Sequence, residues 1–300
     1  MLDTSLPHQA KRIDPATGVR EIAEFFGPEE PRTFGFTHLP SSRPVGGVVI
    51  CSPLYAEFNR NYRREVLIAR QLASLGVAVQ RFHYRGHGNS QGGIHDATFD
   101  TMLDDALAAA QRLVDSSGVN NLAFFGTRFG GLVAASAATR FGKAPLVLWD
   151  PVLNHSQYLR DIYRAYRIQA LKEGARSSES AEGMEEHLRR DGELDILGYT
   201  ITRSLYEGVQ DRSLDKEVGL SPRPLLVIRF GRDPRLERGI SELVLRWQMA
   251  GFDVNHLSIG RQEAWWFTSG ALVIQEALTE PVDLTVDWLM KTFDQRTELL

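Results

Sequence analysis

The first candidate catalytic segment is Phe124–Gly131, which has the sequence FFGTRFGG and joins an apolar segment to an alanine-rich one. A G-x-S-x-G segment between a strand and a helix forms a nucleophile elbow, in which a strained turn holds the serine side chain above the sheet. Gly126 and Gly130 supply that spacing, but Arg128 occupies the serine position. A guanidinium stays protonated and has no usable lone pair, so it cannot attack a carbonyl carbon. We therefore predict an elbow that does not perform serine-type acyl transfer.

The other members of a catalytic triad would follow the elbow in the order acid and then histidine. Asp233, in the segment FGRDPRL, has the position of the acid. The segment GRQEAWWF has the position of the histidine but contains none, and His256 lies several residues too early, inside the last predicted strand. Arg128 and Asp233 are therefore the residues at the catalytic positions, and their roles are open because a general base is missing.

An arginine at the elbow needs an anion nearby, because the following helix places its positive end there. Four carboxylates follow strands that end at the same sheet edge: Asp233, Asp150, Glu57 and Glu263. One interpretation is a bidentate ion pair between Arg128 and Asp233 that fills the former active site. The other is an anion pocket, in which Arg128 and amides of the loop 52–56 bind a carboxylate or phosphate. The two arrangements can coexist if a ligand displaces one carboxylate.

The predicted ligand pocket combines loops at this sheet edge with an aromatic segment near the carboxyl terminus. Trp265 and Trp266 suggest an apolar pocket wall, although core packing also explains them. His83 and His87 flank the turn after the fourth predicted strand, so either could face the cleft as an acid or base, and turn polarity explains them equally well. The candidate ligand-binding residues are Ser52, Leu54, Tyr55, Glu57, Phe129, Asp150, Trp265 and Trp266.

No metal or cofactor is predicted. The eight histidines are scattered, and no histidine and carboxylate set has the spacing of metal ligands. The glycine-rich run from Gly86 to Gly93 lacks the patterns of phosphate-binding and dinucleotide-binding loops, so we assign it to turns. Ser52 is expected to hydrogen-bond to a backbone group, and Cys51 to be a small core residue.

The elements that must position these residues alternate between apolar, β-branched runs and longer segments of helical period, which is typical of βαβ units in a mainly parallel sheet. The first two strands are separated by GPEEP, which is too short for a crossover helix, so they are expected to form an antiparallel hairpin. The pattern predicts about eight strands with helices on both faces. The predicted strands are Arg20–Phe26, Arg32–His38, Gly47–Cys51, Val77–His83, Asn121–Phe125, Leu146–Trp149, Pro224–Phe230 and Val254–Ile259. The predicted helices are Tyr62–Leu75, Thr98–Val114, Phe129–Phe141, Leu236–Ala250 and Pro281–Phe293.

The strand pattern stops after Asp150, where the chain is charged and LRDIYRAYRIQALK has helical period. We predict a helical cap, residues 151–222, inserted over the carboxyl edge of a core that comprises residues 19–150 and 223–300. An independent small domain is the alternative, since about seventy residues is at the lower end of domain size. Residues 1–18 are predicted to form a mobile arm.

Composition limits the class of partner. A hydrophobic content of 43% supports a sizeable core, and a net charge of −4 from intermixed residues gives no bulk attraction to nucleic acids or membranes. The single cysteine excludes an intramolecular disulfide, and the first twenty residues lack the apolar run of a secretory signal. No segment is long and apolar enough to span a bilayer. We expect a cytoplasmic protein with a small-molecule ligand.

Several motifs, in order, resemble one family over about residues 46–293. They are CSPLYAEFNRNYRR, FHYRGHGNSQG, FGTRFGGLVAA, LVLWDPV and EAWWF. The chain resembles the α/β-hydrolase-fold proteins called exosortase A system-associated hydrolase 2, within the serine-aminopeptidase-like (S33) group. The resemblance implies an α/β-hydrolase fold, and it implies that an arginine at the elbow, here Arg128, belongs to the family's site. Asp150 departs from the family pattern, which has glutamine there.

Three functions are compatible with these residues. The leading prediction is an α/β-hydrolase-fold protein that has lost serine hydrolysis and holds an acyl-type or anionic small molecule in a capped cleft organised by Arg128. The second is a hydrolase or acyl-transfer enzyme for an ester, thioester or amide, with Arg128 as electrophilic anchor and Asp233 or a histidine transferring protons. The third is a scaffold whose cap binds a partner. The fold alone does not separate them.

Overall fold

The structure, a computed structural model, describes residues 9–27, 30–172, 183–196, 198–231, 234–259 and 279–297. Its strands are β1 Gln9–Ile13, β2 Arg20–Phe26, β3 Thr33–Leu39, β4 Gly46–Cys51, β5 Val77–His83, β6 Leu122–Thr127, β7 Leu146–Trp149, β8 Glu193–Ile196, β9 Tyr199–Thr202, β10 Pro224–Phe230 and β11 Asp253–Ile259. Nine of them form one sheet in the order β1-β2-β3-β5-β4-β6-β7-β10-β11, and β8 pairs with β9 as a separate hairpin.

The sheet is parallel from β5 through β4, β6, β7 and β10 to β11. The first three strands are antiparallel at one end, and the register of β2 with β3 pairs Arg20 with Leu39 and Phe26 with Thr33. Every residue of β4 to β7 is buried, as expected for strands covered on both faces. The predicted hairpin and the mainly parallel sheet are both confirmed.

Helices cover both faces of the sheet. The helices are α1 Tyr55–Ser74, α2 Phe99–Ser117, α3 Gly130–Arg140, α4 His155–Lys172, α5 Met184–Asp191, α6 Arg203–Gly208, α7 Leu214–Val218, α8 Pro234–Met249 and α9 Thr279–Thr297. One apolar cluster packs α2, α3 and α8 on one face of the sheet, and a second packs α1 and α9 on the other. Within the described ranges, no helix combines the length and apolarity needed to cross a membrane.

Strand β1 corrects the prediction that residues 1–18 form a mobile arm. Gln9–Ile13 pairs antiparallel with β2, and the Asp14 carboxylate accepts bonds from two amides in the turn that follows. Gly18 closes this turn at a φ of +71°, which glycine adopts without strain. Four of the five β1 residues are exposed, so the strand has no apolar pattern and depends on backbone pairing. Residues 1–8 lie outside the described residues.

The insertion between β7 and β10 contains helices α4 to α7, but it is not wholly helical as predicted. Buried and exposed side chains alternate in β8 but not in β9, and each strand has only four residues, which is too short for a clear sequence pattern. The Asp195 carboxylate accepts a bond from the Gly198 amide at 3.0 Å and stabilises the hairpin turn. This hairpin supplies side chains to the region above the sheet.

Candidate functional site

The elbow has the predicted strand–turn–helix geometry. β6 ends at Thr127, α3 begins at Gly130, and Arg128 lies between them with a φ of +53°. Both glycines are sterically required: a Cβ on Gly126 would clash with the Gly130 carbonyl, and a Cβ on Gly130 would clash with the Cys51 carbonyl. The turn therefore raises the side chain of Arg128 above the carboxyl edge of the sheet.

Arg128 contacts two carboxyl-bearing residues, and its side chain is only 12% exposed. Its Nε donates to Glu57 Oε1 at 3.3 Å, and its Nη1 donates to the Asp150 carbonyl oxygen at 3.0 Å, with an Asp150 carboxylate oxygen at 3.8 Å. The Tyr158 hydroxyl donates to the other Glu57 oxygen at 2.9 Å, and the Tyr158 ring lies 5.6 Å from the guanidinium carbon. The chain itself thus provides the anion that the elbow arginine needs.

Among the described residues, two cations face two anions in this buried cluster, because Arg229 also donates to the Asp150 carboxylate. Burial raises the pKa of both carboxyls, Glu57 and Asp150, while the Arg128 charge opposes the rise. Burial alone would lower the pKa of Arg128, but the charges of Glu57 and Asp150 outweigh it and raise that pKa. The guanidinium therefore stays charged and is already compensated.

Three non-glycine residues at this sheet edge have left-handed backbones: Tyr55 at φ +56°, Arg128 at +53° and Asp150 at +45°. They follow β4, β6 and β7, three neighbouring strands of the sheet. Each such conformation costs about 1–3 kcal/mol and persists only where the surrounding structure enforces it. Strain concentrated at one edge marks this edge as the candidate site.

Some predicted site residues converge there and others do not. Glu57 and Asp150 join Arg128, whereas Leu54 is a core residue and Phe129 packs its ring 5.2 Å from that of His155. Tyr158 and Arg229 were missed, because neither lies in a motif and only the fold brings them to the elbow. Asp233, Glu263, Trp265 and Trp266 lie outside the described residues, and so does the predicted ion pair between Arg128 and Asp233.

A cavity of about 370 Å³ lies above the ends of β4 and β5, one strand over from the elbow. Of the predicted ligand-binding residues, Ser52 and Tyr55 line it, and Arg128 does not. The insertion closes one side through the β8–β9 hairpin. The side chains that form most of the wall are those of Ser52, Tyr55, Phe58, Asn59, His83, Tyr84, His87, Ile94, Tyr199 and Thr200.

Ser52, in the cavity wall, forms a hydrogen bond to a buried carboxylate. Its hydroxyl donates to Glu65 Oε2 at 2.8 Å, and the Asn61 amide donates to Glu65 Oε1 at 2.8 Å. Burial raises the pKa of Glu65, and the positive charge of Arg81 acts in the opposite direction. The prediction that Ser52 bonds to a backbone group is wrong, because Glu65 reaches it from the third turn of α1.

Two histidines, His83 and His87, line the same cavity. Burial, assisted by the positive charge of Arg81, lowers the pKa of His83 to about 4. Burial also lowers the pKa of His87, although the Arg85 carbonyl opposes this. Both rings are therefore neutral at pH 7, so each has one donor and one acceptor nitrogen.

Comparisons with known proteins agree with this architecture. The family described as Serine aminopeptidase, S33, matches residues 43–182, slightly less than half of the chain. No curated protein matches the chain in sequence. The match to the S33 family covers the elbow, the cavity residues that follow β4 and β5, and the start of the insertion.

Among solved structures, the chain is similar to Est1E from Butyrivibrio proteoclasticus with ferulic acid bound, with a TM-score of 0.66 and 16% identity over 91% of this chain and 100% of that one. An esterase from Pyrococcus furiosus has a TM-score of 0.63 and 14% identity, covering 93% and 92%. Mouse alpha/beta hydrolase domain-containing protein 10 has a TM-score of 0.58 and 18% identity, covering 90% and 98%. The chain therefore has the α/β-hydrolase fold, and the predicted fold class is confirmed.

Proposed function

We propose that this α/β-hydrolase-fold protein binds a small organic molecule in the cavity above β4 and β5 and does not perform serine hydrolysis at its elbow. The observation that carries the proposal is Arg128, which occupies the nucleophile position and is held there by Glu57 and Asp150. A guanidinium cannot become an acyl-enzyme nucleophile. The pocket beside it keeps the volume and wall of a ligand site.

The ligand is an uncharged, acyl-type or otherwise apolar molecule rather than an anion. The positive charge of Arg128 is already compensated by Glu57 and Asp150. An anionic ligand at Arg128 would have to displace one of these buried carboxylates, which would then lose its cationic partner. The cavity wall is mainly aromatic and hydroxyl-bearing. These features favour the acyl-type alternative of the two ligand classes predicted from the sequence.

The insertion acts as the cap of this site. Tyr199 and Thr200 of the hairpin line the cavity, and the Asn59 side chain donates to the Tyr199 hydroxyl at 3.1 Å across its rim. Tyr158, at the start of the insertion, bonds to Glu57 in the elbow cluster. The insertion therefore contacts both the cavity and the elbow cluster, which supports a cap more than an independent domain.

We also infer membership of the proteins called exosortase A system-associated hydrolase 2. The support is the ordered set of motifs, above all the elbow FGTRFGGLVAA with its arginine and the later EAWWF. That name describes the genomic neighbourhood of such proteins, so it does not indicate which reaction, if any, this chain catalyses.

A second candidate function, hydrolysis or acyl transfer, is favoured by the bond between Ser52 and Glu65. In that reaction Ser52 Oγ would attack the carbonyl carbon of an ester, thioester or amide, and its proton would pass through the Glu65 carboxylate to the departing alcohol, thiol or amine. Water or an acceptor would then take the acyl group from Ser52, returning the proton to Ser52 through Glu65. The raised pKa of Glu65 makes it a stronger base than an ordinary carboxylate. Since no histidine among the described residues hydrogen-bonds to the Ser52 hydroxyl, we rank this function below binding.

Intact-mass analysis after incubation with a fluorophosphonate separates the two functions, because this probe labels activated serines. We expect no adduct on the wild-type protein. A stoichiometric adduct that maps to Ser52 and disappears in Ser52→Ala would establish the second function instead.

A ligand panel tests binding itself. We expect thermal stabilisation by some members of a panel of small neutral aromatic and aliphatic acyl compounds, since a ligand at 100 times its Kd adds about 2.7 kcal/mol to stability. Thr200→Trp, which fills the cavity, should abolish the shift, and Glu193→Trp, exposed on the same hairpin and outside the cavity wall, should keep it. Equal shifts in all three proteins would place the ligand elsewhere and refute the proposal.

A further inference from the structure

The first turn of α1 lies between the elbow and the cavity, and it contacts both. Glu57 accepts hydrogen bonds from Arg128 at 3.3 Å and from Tyr158 at 2.9 Å, so one side of the turn is held in the elbow cluster. The residues of this turn that line the cavity are Tyr55, Phe58 and Asn59. Their i, i+3, i+4 spacing places them on one face of the helix, and Glu57 lies on the opposite face. The turn therefore links Arg128 to the cavity wall.

This turn is poorly stabilised by its own residues. Leu54, its N-cap, makes no side-chain hydrogen bond to the free amides at the start of the helix. Tyr55, the first helical residue, has a φ of +56°, which a non-glycine residue keeps only where its surroundings enforce it. The backbone hydrogen bond from the Phe58 amide to the Leu54 carbonyl is long, at 3.3 Å. Contacts from other parts of the chain must therefore hold the turn in place.

The ion pair between Glu57 and Arg128 is the charged contact that holds the turn. The side chains are only 9% and 12% exposed, so solvent screens their attraction weakly. Tyr158, from α4 of the insertion, binds the second oxygen of Glu57, so both carboxylate oxygens are fixed. Arg128 is itself fixed by its bond to the Asp150 carbonyl oxygen at 3.0 Å. The elbow is therefore a rigid anchor for the first turn of α1.

The cavity side of the same turn contacts the insertion a second time. The ring of Tyr55 meets the ring of Tyr199 edge to face, with centres 6.0 Å apart, and the Asn59 side chain donates to the Tyr199 hydroxyl at 3.1 Å. Tyr199 begins β9, and the β8–β9 hairpin does not belong to the main sheet. Its neighbours Gly198 and Thr200 also line the cavity. The position of the hairpin over the cavity thus depends on the position of the first turn of α1.

From these contacts we propose that Arg128 is a positioning residue for the cavity. It holds Glu57 and so fixes the first turn of α1, and this turn keeps the β8–β9 hairpin closed over the cavity through Tyr55 and Asn59. Loosening the ion pair opens the hairpin, so the elbow cluster controls the access of a ligand to the cavity. This inference rests on the proposed function and adds to it the way in which the site is closed.

Hydrogen–deuterium exchange measured by mass spectrometry tests the inference without a ligand. The variant combines Arg128→Met with Glu57→Gln, which removes both charges at nearly constant volume, while Asp150 keeps Arg229 as its partner. We expect exchange to rise roughly tenfold or more in peptides from the first turn of α1 and from the hairpin, because these segments open locally while the sheet stays closed. Peptides from β4 and β6 should keep the exchange rates of the wild type.

The matched control combines Arg112→Met with Glu24→Gln. This pair also joins an arginine to a partly buried glutamate, but it lies between α2 and β2, across the sheet from α1. It should leave the exchange of the hairpin and of the first turn of α1 at the wild-type level. Equal increases in the two double variants would show general destabilisation and would overturn the inference.

Two single variants complete the test. Tyr199→Phe removes the hydroxyl that Asn59 binds, so the hairpin should exchange faster while the first turn of α1, still held by Glu57, should not. Arg128→Lys keeps the charge but loses the planar fork that reaches Glu57 and the Asp150 carbonyl together, so it gives a folded test even if the double variant is unstable. Wild-type exchange of the hairpin in folded Arg128→Lys would contradict the positioning role.

The outcomes separate this inference from the proposed function. Exchange is measured without a ligand, so an unchanged hairpin would remove the positioning role of Arg128 and leave the cavity as a binding site. Equal ligand shifts in wild type and Thr200→Trp would instead refute binding in the cavity and leave the closure of the hairpin by Arg128 standing.

Discussion

Arg128 is held at the elbow by residues from separate parts of the chain, and each depends on the others. Glu57 comes from the first turn of α1, Asp150 from the end of β7 and Tyr158 from α4. Removing one member of a buried ion pair leaves the other charge without compensation, which costs more than the pair contributes. The cluster is therefore sensitive to single changes at any of these positions.

Glu57→Gln should destabilise the protein by about 3 kcal/mol, because it keeps the side-chain size but removes the charge closest to buried Arg128. Urea unfolding at pH 7 measures the change. Tyr158→Phe, which removes only a hydrogen bond to Glu57, is the matched control and should cost about 1 kcal/mol. Equal effects of the two variants would show that the charge of Glu57 does not stabilise Arg128.

Arg128→Ser should restore the elbow motif without restoring esterase activity. The variant still lacks a histidine bonded to the new serine within the described residues, and it leaves Glu57 and Asp150 buried without the guanidinium, so we expect a loss of about 3 kcal/mol in stability. Hydrolysis of p-nitrophenyl acetate measures the activity, with wild type as the baseline. A rate well above that baseline would reveal a general base close to the elbow.

At the scale of elements, the buried strands were predicted well and the polar segments between them poorly. The runs that became β4 to β7 are apolar along their length, which is a strong signal for strands covered on both faces. Helix α1 begins at Tyr55 rather than at the predicted Tyr62. Leu54 is extended and the helix starts directly after it, so the polar segment that read as a loop is its first two turns.

The packing of α3 against β4 depends on one glycine. Gly130→Ala should destabilise the protein by more than 3 kcal/mol, because its Cβ would meet the backbone carbonyls of Cys51 and Ser52, which cannot move without displacing the strand. Gly131→Ala is the matched control: its nearest atom, a Leu148 methyl, lies 3.3 Å away, and alanine favours the helix. Thermal unfolding of both variants measures the difference, and similar melting temperatures would contradict this close approach.

At the scale of the whole molecule, the sequence predicted the fold and the position of the elbow but not the assembly of the site. The elbow is a local motif, so spacing alone identifies it. Tyr158 reaches Glu57, and Arg229 reaches Asp150, only because the parallel sheet collects strand ends at one edge and the insertion folds back over it. The cavity histidines were candidates, but the burial that lowers their pKa values comes from tertiary packing that no sequence pattern encodes.

The stability of the whole molecule should fall in mild acid because burial keeps four of the described histidines in neutral form: His38, His83, His87 and His155. Burial lowers the pKa of His38 and His155 to about 3 and that of His83 to about 4. Their folded pKa values lie below the unfolded value of about 6.5, so their stabilisation is complete above pH 6.5 and is lost as the pH falls toward 4. Buried carboxyls with raised pKa values act in the opposite direction, so a variant is needed to isolate the effect.

His155→Phe should remove the part of this dependence that comes from His155. The ring already contacts Phe129 edge to face, and neither of its nitrogens has a hydrogen-bond partner among the described residues, so phenylalanine fits its surroundings. Between pH 7 and pH 5 the wild type should lose about 2 kcal/mol more than the variant. Urea unfolding at both pH values measures this, and parallel losses would mean that His155 is protonated in the folded protein.

The elbow cluster also has an evolutionary consequence. A single change of Arg128 to serine leaves the buried Glu57 carboxylate without the guanidinium that pairs with it and leaves Asp150 with Arg229, and changing Glu57 or Asp150 first removes one of the two charges that compensate the buried guanidinium. Every one-step route from this chain toward a serine nucleophile therefore passes through a less stable protein. The arginine is entrenched by epistasis: with these partners in place, its loss costs stability.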